Sequence, residues 1–365
     1  MTRPLVLALL AACGVCWQVT PAHAQEVPTL DQLRAVPRNG PYSPANTRLL
    51  RQYLEHWTSR LAEAEDVEGM LGARAKLVNG YQTVHRTTRY QLWYAEHAAD
   101  IVTRALKLES PARQIQAAMA LSKMAQITIQ PALEEMASSK NPAVRYWAVR
   151  GYRNSRQRML ELGEYRSRML KTLRRIGLNA DNYRMVAEVL AALRPYPGIG
   201  RTELAAIREA YSEIWVARLR QVIDGDVDSL LAYREELAAL RPVNREDRET
   251  VRQLLADLLG ATFRGFDRLE KQPAQKRPIV QAALERLLIA VEERLNDVLE
   301  EKGTPVADVL NNPRVERRLL MALIEAEDVW LVGLREAGFK PRRPAEPETR
   351  PGTQPATGPA TAPAE

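Results

Sequence analysis

The chain has 365 residues, 45% of them apolar, and a formal net charge of +7. Its two cysteines, Cys13 and Cys16, fall within one N-terminal apolar stretch, so the body beyond it has no disulfide, thiolate nucleophile or cysteine metal site. Stability must come from packing, and a chain this long can bury enough apolar surface for that.

Residues 1–24 read as an export signal. Arg3 supplies the positive start, and Leu5–Trp17 is an apolar run of 13 residues, shorter than the about 20 a spanning helix needs. Ala22-His23-Ala24 offers the small residues of a cleavage site, giving a mature start at Gln25 and a periplasmic or extracellular location. A second reading stays open: Leu10-Ala11-Ala12-Cys13 matches a lipoprotein box, in which Cys13 is lipidated and anchors the protein. Residues 25–44, with Pro28, Pro37, Pro41 and Pro44, read as an extended lead-in.

From about Ala45 to Gly338 the periodicity is helical, and no credible strand series interrupts it. Helices are expected at 45–65, 68–78, 87–107, 111–125, 130–139, 142–152, 156–176, 181–193, 202–223, 229–240, 246–270, 277–301 and 314–337. Breaks fall at Gly, Pro and Asn clusters such as Pro195-Tyr196-Pro197-Gly198 and Asn311-Asn312-Pro313. Short connections between so many helices predict an all-α fold, an α-solenoid or stacked antiparallel hairpins.

In Asn141-Pro-Ala-Val-Arg-Tyr-Trp-Ala-Val-Arg-Gly-Tyr152, the residues Val144, Trp147, Ala148 and Gly151 share one helix face, flanked by Arg145 and Arg150. Asn141 suits the N-cap and Pro142 the first turn. Thirty-one residues earlier, Ser110-Pro111-Ala112 opens another helix, with Ala117 standing where Ala148 stands and a partner helix from Pro131 between them. This recurrence is the mark of a helical repeat. Asn141-Pro142-x-Val144-Arg145-x-x-Ala148 resembles the second-helix signature of HEAT repeats, in particular the PBS-lyase HEAT-like variety. The match covers about 109–152, and the Ser110 copy departs from it, with Arg113-Gln114 in place of Val-Arg. The resemblance implies a right-handed helical stack used in protein recognition, and a structural, inter-repeat role for Arg145.

A further pentapeptide, Ala-Ala-Leu-Arg-Pro, occurs at 191–195 and again at 238–242. Each copy closes a helix and precedes a longer one. Two regions are therefore expected, a HEAT-like one over 45–178 and a helical-hairpin one over 179–338.

Charge concentrates in the first of these. Arg145–Arg175 holds ten basic and two acidic residues, whereas 176–340 holds 24 basic and 28 acidic. Arg150, Arg153, Arg156, Arg158, Arg168, Lys171, Arg174 and Arg175 are candidate ligands for an anionic envelope polymer or lipid headgroup. The plainer reading is that they are solvated helix faces, partly neutralised by the acidic second half. Intracellular nucleic acid is discounted by the export signal and by the lack of interleaved aromatics. Arg166 lies in the apolar stripe of its helix, among Met159, Leu162, Met169, Leu170 and Leu173, and must be paired or reach water.

Asp224, Asp226, Asp228 and Glu235 have the spacing of an EF-hand calcium loop and are the one metal candidate. Ser229 stands where the sharp turn needs Gly, and a plain helix hairpin capped by Asp226 or Asp228 fits as well. His56, His85 and His97 show no ligand spacing, and no catalytic motif occurs. Residues 339–365, rich in Pro, Ala and Thr, read as a disordered tail. The function expected is non-catalytic: an exported helical scaffold that binds another protein or peptide, with the anionic polymer or lipid as the alternative ligand.

Overall fold

The computed structural model describes residues 27–180, 182–299, 306–312 and 317–344. The stretch read as an export signal, with Cys13 and the expected cleavage site, and the residues from 345 onward lie outside the described residues. Within them the fold is all-α.

Local chemistry sets the helix starts. Ser43 caps α2 (Pro44–Glu63), Asp66 caps α3 (Val67–Gln82), and Thr87 caps α4 (Thr88–Val102), each by accepting a backbone N–H at N3. Pro111 opens α5 (Pro111–Ser122), and α6 (Gln130–Ala137) follows a short 3-10 turn. Asn141 caps α7 (Pro142–Glu161), whose Pro142 supplies the pre-set first turn. Then come α8 (Gly163–Asn179), α9 (Tyr183–Ala192), α10 (Arg201–Ile223), α11 (Val227–Ala239), α12 (Arg245–Asp267) and α13 (Arg277–Leu299).

From α2 to α13 every helix packs on the helix two places further along the chain. The even-numbered helices therefore form one row and the odd-numbered helices a second. The rows are joined by the hairpins α2–α3, α6–α7, α7–α8, α8–α9 and α12–α13. A single apolar core runs between them from Leu33 to Leu334 without a break at 178/179. The two regions expected from the sequence are thus one stack: α7 packs on α9 and α8 on α10 across that boundary.

The two Ala-Ala-Leu-Arg-Pro copies take equivalent places. Each closes an odd-row helix, α9 or α11, and turns the chain into an even-row helix, with Leu193 and Leu240 both buried. Trp215 of α10 shows how the rows lock. Its ring is fully buried, stacks near Tyr211, donates from Nε1 to the Leu254 carbonyl at 3.2 Å, and its own carbonyl accepts from Tyr233 at 2.6 Å.

Three expectations need correction. The break expected at 152–156 is absent, and α7 runs through it. Asn154 there donates to the Ser122 carbonyl of α5 at 2.8 Å, and Ser155 donates back to the Gly151 carbonyl at 3.0 Å, so both polar groups find partners without ending the helix. The lead-in is not wholly extended: α1 (Leu30–Arg34) forms under a reciprocal Thr29/Gln32 capping box and buries Leu33. Tyr42 then stacks on Trp93 with ring centroids 4.0 Å apart, holding the lead-in to α4.

The third concerns the C-terminal end. Beyond α13 the described chain forms α14 (Val306–Asn311), α15 (Arg318–Ala326), a π turn (Glu327–Leu331) and α16 (Val332–Glu336) in place of one long helix. Residues 339–344, expected as tail, lie instead along α12. Phe339 packs on the core, Gln253 donates to the Lys340 carbonyl at 2.7 Å, and Pro341 sits where Gly260 lacks a Cβ. Arg342 donates from Nε and NH2 to the fully buried Asp257 carboxylate, at 2.9 and 2.6 Å.

Candidate functional site

The basic segment occupies α7 and α8, at the middle of both rows. Most of its arginines point outward from one repeat and end on a neighbouring one, before or after it. From α7, Arg153 meets Glu188 of α9 at 3.1 Å, and Arg150 lies 3.9 Å from the same carboxylate while stacking over Trp147. Arg156 donates to the Ala191 carbonyl at 3.1 Å, and burial together with the neighbouring Arg153 and Arg194 charges lowers its pKa. On the other side of the same helix, Arg158 donates to the Gln126 side chain and the Ala125 carbonyl.

Helix α8 repeats the arrangement in the other row. Arg168 forms a bidentate pair with Glu134 of α6, at 2.8 and 2.5 Å, and that carboxylate raises the Arg168 pKa. Arg175 donates to the Ala137 carbonyl at 3.2 Å. Arg174 reaches forward to Glu209 and Glu213 of α10, at 3.0 and 3.2 Å. Arg166, the arginine in the apolar stripe, is paired: it meets Glu203 at 2.6 Å and donates to the Leu160 carbonyl at 3.3 Å. Lys171 is the exception among the candidates, being exposed and without an ionic partner in the described residues.

Arg145 donates to the carbonyls of Ser139 and Lys140, at 2.9 and 3.1 Å, and so closes the α6–α7 turn within its own repeat. Beside it opens a cleft of about 790 Å³ between the α6–α7 and α8–α9 turns. Its walls include Lys140, Pro142, Arg145, Arg175, Asn179 and Asn182. Lys140, Pro142, Asn179 and Asn182 are exposed, while Ile176 and Met185 form an apolar floor.

The EF-hand-like residues do not converge. The Asp224 carboxylate is taken by Arg268 at 2.6 Å and by Arg220 at 2.9 Å. Asp226 caps α11, accepting from the Ser229 backbone N–H and hydroxyl. Asp228 and Glu235 are exposed on the first and third turns of α11. Among the described residues no group of three or more His, Cys, Asp or Glu could hold a metal ion. His97 contacts the Trp93 carbonyl through Nδ1, and Asp100 pairs with Arg51 and Arg104.

Sequence reasoning missed the buried ion pairs. Arg208 of α10 holds Asp247 of α12 through Nε and NH2, at 2.6 and 2.8 Å, with 5% and 0% of the two side chains exposed. Arg194 holds Glu236 at 3.2 and 2.6 Å, and burial still raises that carboxyl above its ordinary pKa. The buried Glu292 accepts from the Val306 N–H at 2.7 Å and from Trp330 Nε1 at 3.3 Å. The signal available for such pairs is an opposite charge one repeat away. That signal becomes specific only once the repeat length is known.

No family model matches the sequence, and no curated protein matches it.

Proposed function

We propose that this chain is an exported, non-catalytic helical-repeat scaffold of HEAT-like type, whose cleft between the α6–α7 and α8–α9 turns binds another protein or peptide. One observation carries the reading. The buried carboxylates Glu236, Asp247, Asp257 and Glu292 are each held by an arginine or by backbone and indole N–H groups. None of the four lines the cleft. The cleft combines an apolar floor with hydrogen-bonding walls, the mixture that a peptide backbone and its side chains require.

A photo-crosslinking residue placed at Asn179, in the full chain expressed in its parent cell, tests this. The expected result is a discrete protein adduct that survives high salt and is absent when the same probe replaces the exposed Glu293. Equal labelling at both positions, or none at Asn179, would sink the proposal.

A second reading, binding of an anionic envelope polymer or lipid headgroup, is favoured by Lys140 and Lys171. Both lysines are exposed, and neither has an ionic partner among the described residues. It predicts capture that weakens steeply with salt and is lost in Lys140→Glu/Lys171→Glu. That variant leaves the arginine ties between repeats untouched.

A further inference from the structure

A helical stack needs a polar outer face on its last repeat, because nothing follows to cover it. This stack breaks that rule at α15. Leu320, Met321 and Ile324 are 50%, 50% and 46% exposed there, while Ala322 and Ala326 turn inward and are buried. Within α15 helical spacing puts Met321 and Ile324 on one stripe with Leu320 along its edge; Arg317 stands just before the helix, and Glu327 and Asp328 lie in the π turn that follows it.

The charges on this stripe are segregated. Arg317 and Arg318 stand at its N-terminal end and Glu325, Glu327 and Asp328 at its C-terminal end. Arg317, Arg318, Glu327 and Asp328 are exposed, and none of them makes an ion pair among the described residues. The order is therefore basic, apolar, acidic.

We propose that α15 is a homodimerisation surface, covered by α15 of a second copy of this chain running antiparallel. A two-fold axis midway between Ala322 and Leu323 sets Met321 against the second copy's Ile324, and Ile324 against its Met321. The same axis brings Arg317 and Arg318, at the start of one α15, to the end of the other that carries Glu327 and Asp328, twice. Every apolar side chain on the stripe meets an apolar group or the aliphatic stem of Glu325, and every charge meets its opposite. A parallel pairing would oppose like charges at both ends. The isologous arrangement is what a closed dimer requires.

The chain's own C-terminal residues cannot supply this cover. From Ala345 to Glu365 they contain no Leu, Ile, Val, Met or aromatic residue. A single helix pair is a small interface, short of the about 1,000 Å² of a tight one, so the association is a weak one to be sought at micromolar concentrations.

Sedimentation velocity of the full mature chain across the micromolar range tests the proposal. Wild type is expected to pass from monomer to dimer. Ile324→Glu, which places two carboxylates at the centre, should weaken association by at least about 100-fold. Arg317→Glu and Asp328→Arg should each weaken it, and the double exchange Arg317→Glu/Asp328→Arg should restore it. Circular dichroism checks that every variant keeps its helices. A wild type that stays monomeric overturns the proposal, as does a dimer indifferent to Ile324→Glu or an exchange that fails to restore association.

Discussion

The Arg208 guanidinium and the Asp247 carboxylate meet in a two-point contact, 2.6 and 2.8 Å, from which water is almost wholly excluded. The same carboxylate accepts the Val243 N–H at 2.9 Å, and the Arg208 NH2 also donates to the Arg241 carbonyl at 3.2 Å. One ion pair thus fixes α10, α12 and the Ala-Ala-Leu-Arg-Pro turn between α11 and α12. Its worth is measured less by the attraction than by what is left when one partner goes.

Arg208→Met should therefore cost about 3–5 kcal/mol of unfolding free energy, because it strands the buried Asp247 charge. Adding Asp247→Asn removes that charge while keeping an acceptor for the Val243 N–H, so the double variant should regain part of the loss. Urea unfolding of the two single variants and the double one decides it. A double variant no more stable than Arg208→Met would show that the charge is not the cause.

The strap at 339–344 predicts a second effect. Arg342→Ala leaves Asp257 with only the Gln253 side chain and the residue-342 backbone N–H, and should lower stability by about 1–3 kcal/mol. Hydrogen exchange should speed up in the middle of α12. A chain ending at residue 339 should behave at least as badly. Unchanged exchange there would mean that the strap bears no load.

Gly151 lets α7 press close against Leu133 of α6 and Ser122 of α5. A Cβ at this position would run into Leu133 Cδ2, with Cδ1 at 3.3 Å and the Ser122 backbone Cα at 3.4 Å. Gly151→Ala should destabilise by about 1–3 kcal/mol through overpacking. In the Leu133→Ala background the same change should cost much less, and a thermal-melt cycle of the four proteins measures that coupling.

Glu292 gives a pH dependence whose sign is fixed. Burial pushes its carboxyl above the ordinary value, and the N–H groups of Val306 and Trp330 only partly offset this. A carboxyl raised on folding takes up its proton more readily in the folded state. Its contribution to stability is then complete below the unfolded pKa and is lost as pH rises through the folded one. Relative to Glu292→Gln, which does not titrate, wild type should gain stability as the pH falls from 7 toward 4. Unfolding free energies of both proteins over that range check it, and a gap that stays constant would remove Glu292 as the cause.

Helix positions were legible because their signals are local. Asn141-Pro142 opens α7, and the apolar spacing of Val144, Ala148 and Gly151 gave its buried face. Helix α1 was missed: the Thr29-x-x-Gln32 box marks its start, but five residues are too few to show a period. The roles of the arginines were not legible. Arg166 in an apolar stripe announces that it needs a partner, yet Glu203 lies 37 positions away in α10, amid other acidic residues. Choosing among them requires the repeat length and the rotation between helices, neither of which is written within ten residues of Arg166. The cleft beside Arg145 was invisible for the same reason, since its two walls come from turns in successive repeats.

The side-chain ties described for α7 and α8 that cross to another repeat reach about one repeat and no further, from 32 positions for Asn154–Ser122 to 39 for Arg174–Glu213. Mechanically, this makes the central body a row of coupled springs. A pull or twist at one end passes along it link by link, and none of the ties described for α7 and α8 reaches further to stiffen the middle. The strap departs from this pattern: Arg342 reaches 85 positions back to Asp257. It spans more than one link and splints the C-terminal end, so bending should concentrate towards α7 and α8, where the cleft can widen or narrow as the stack flexes.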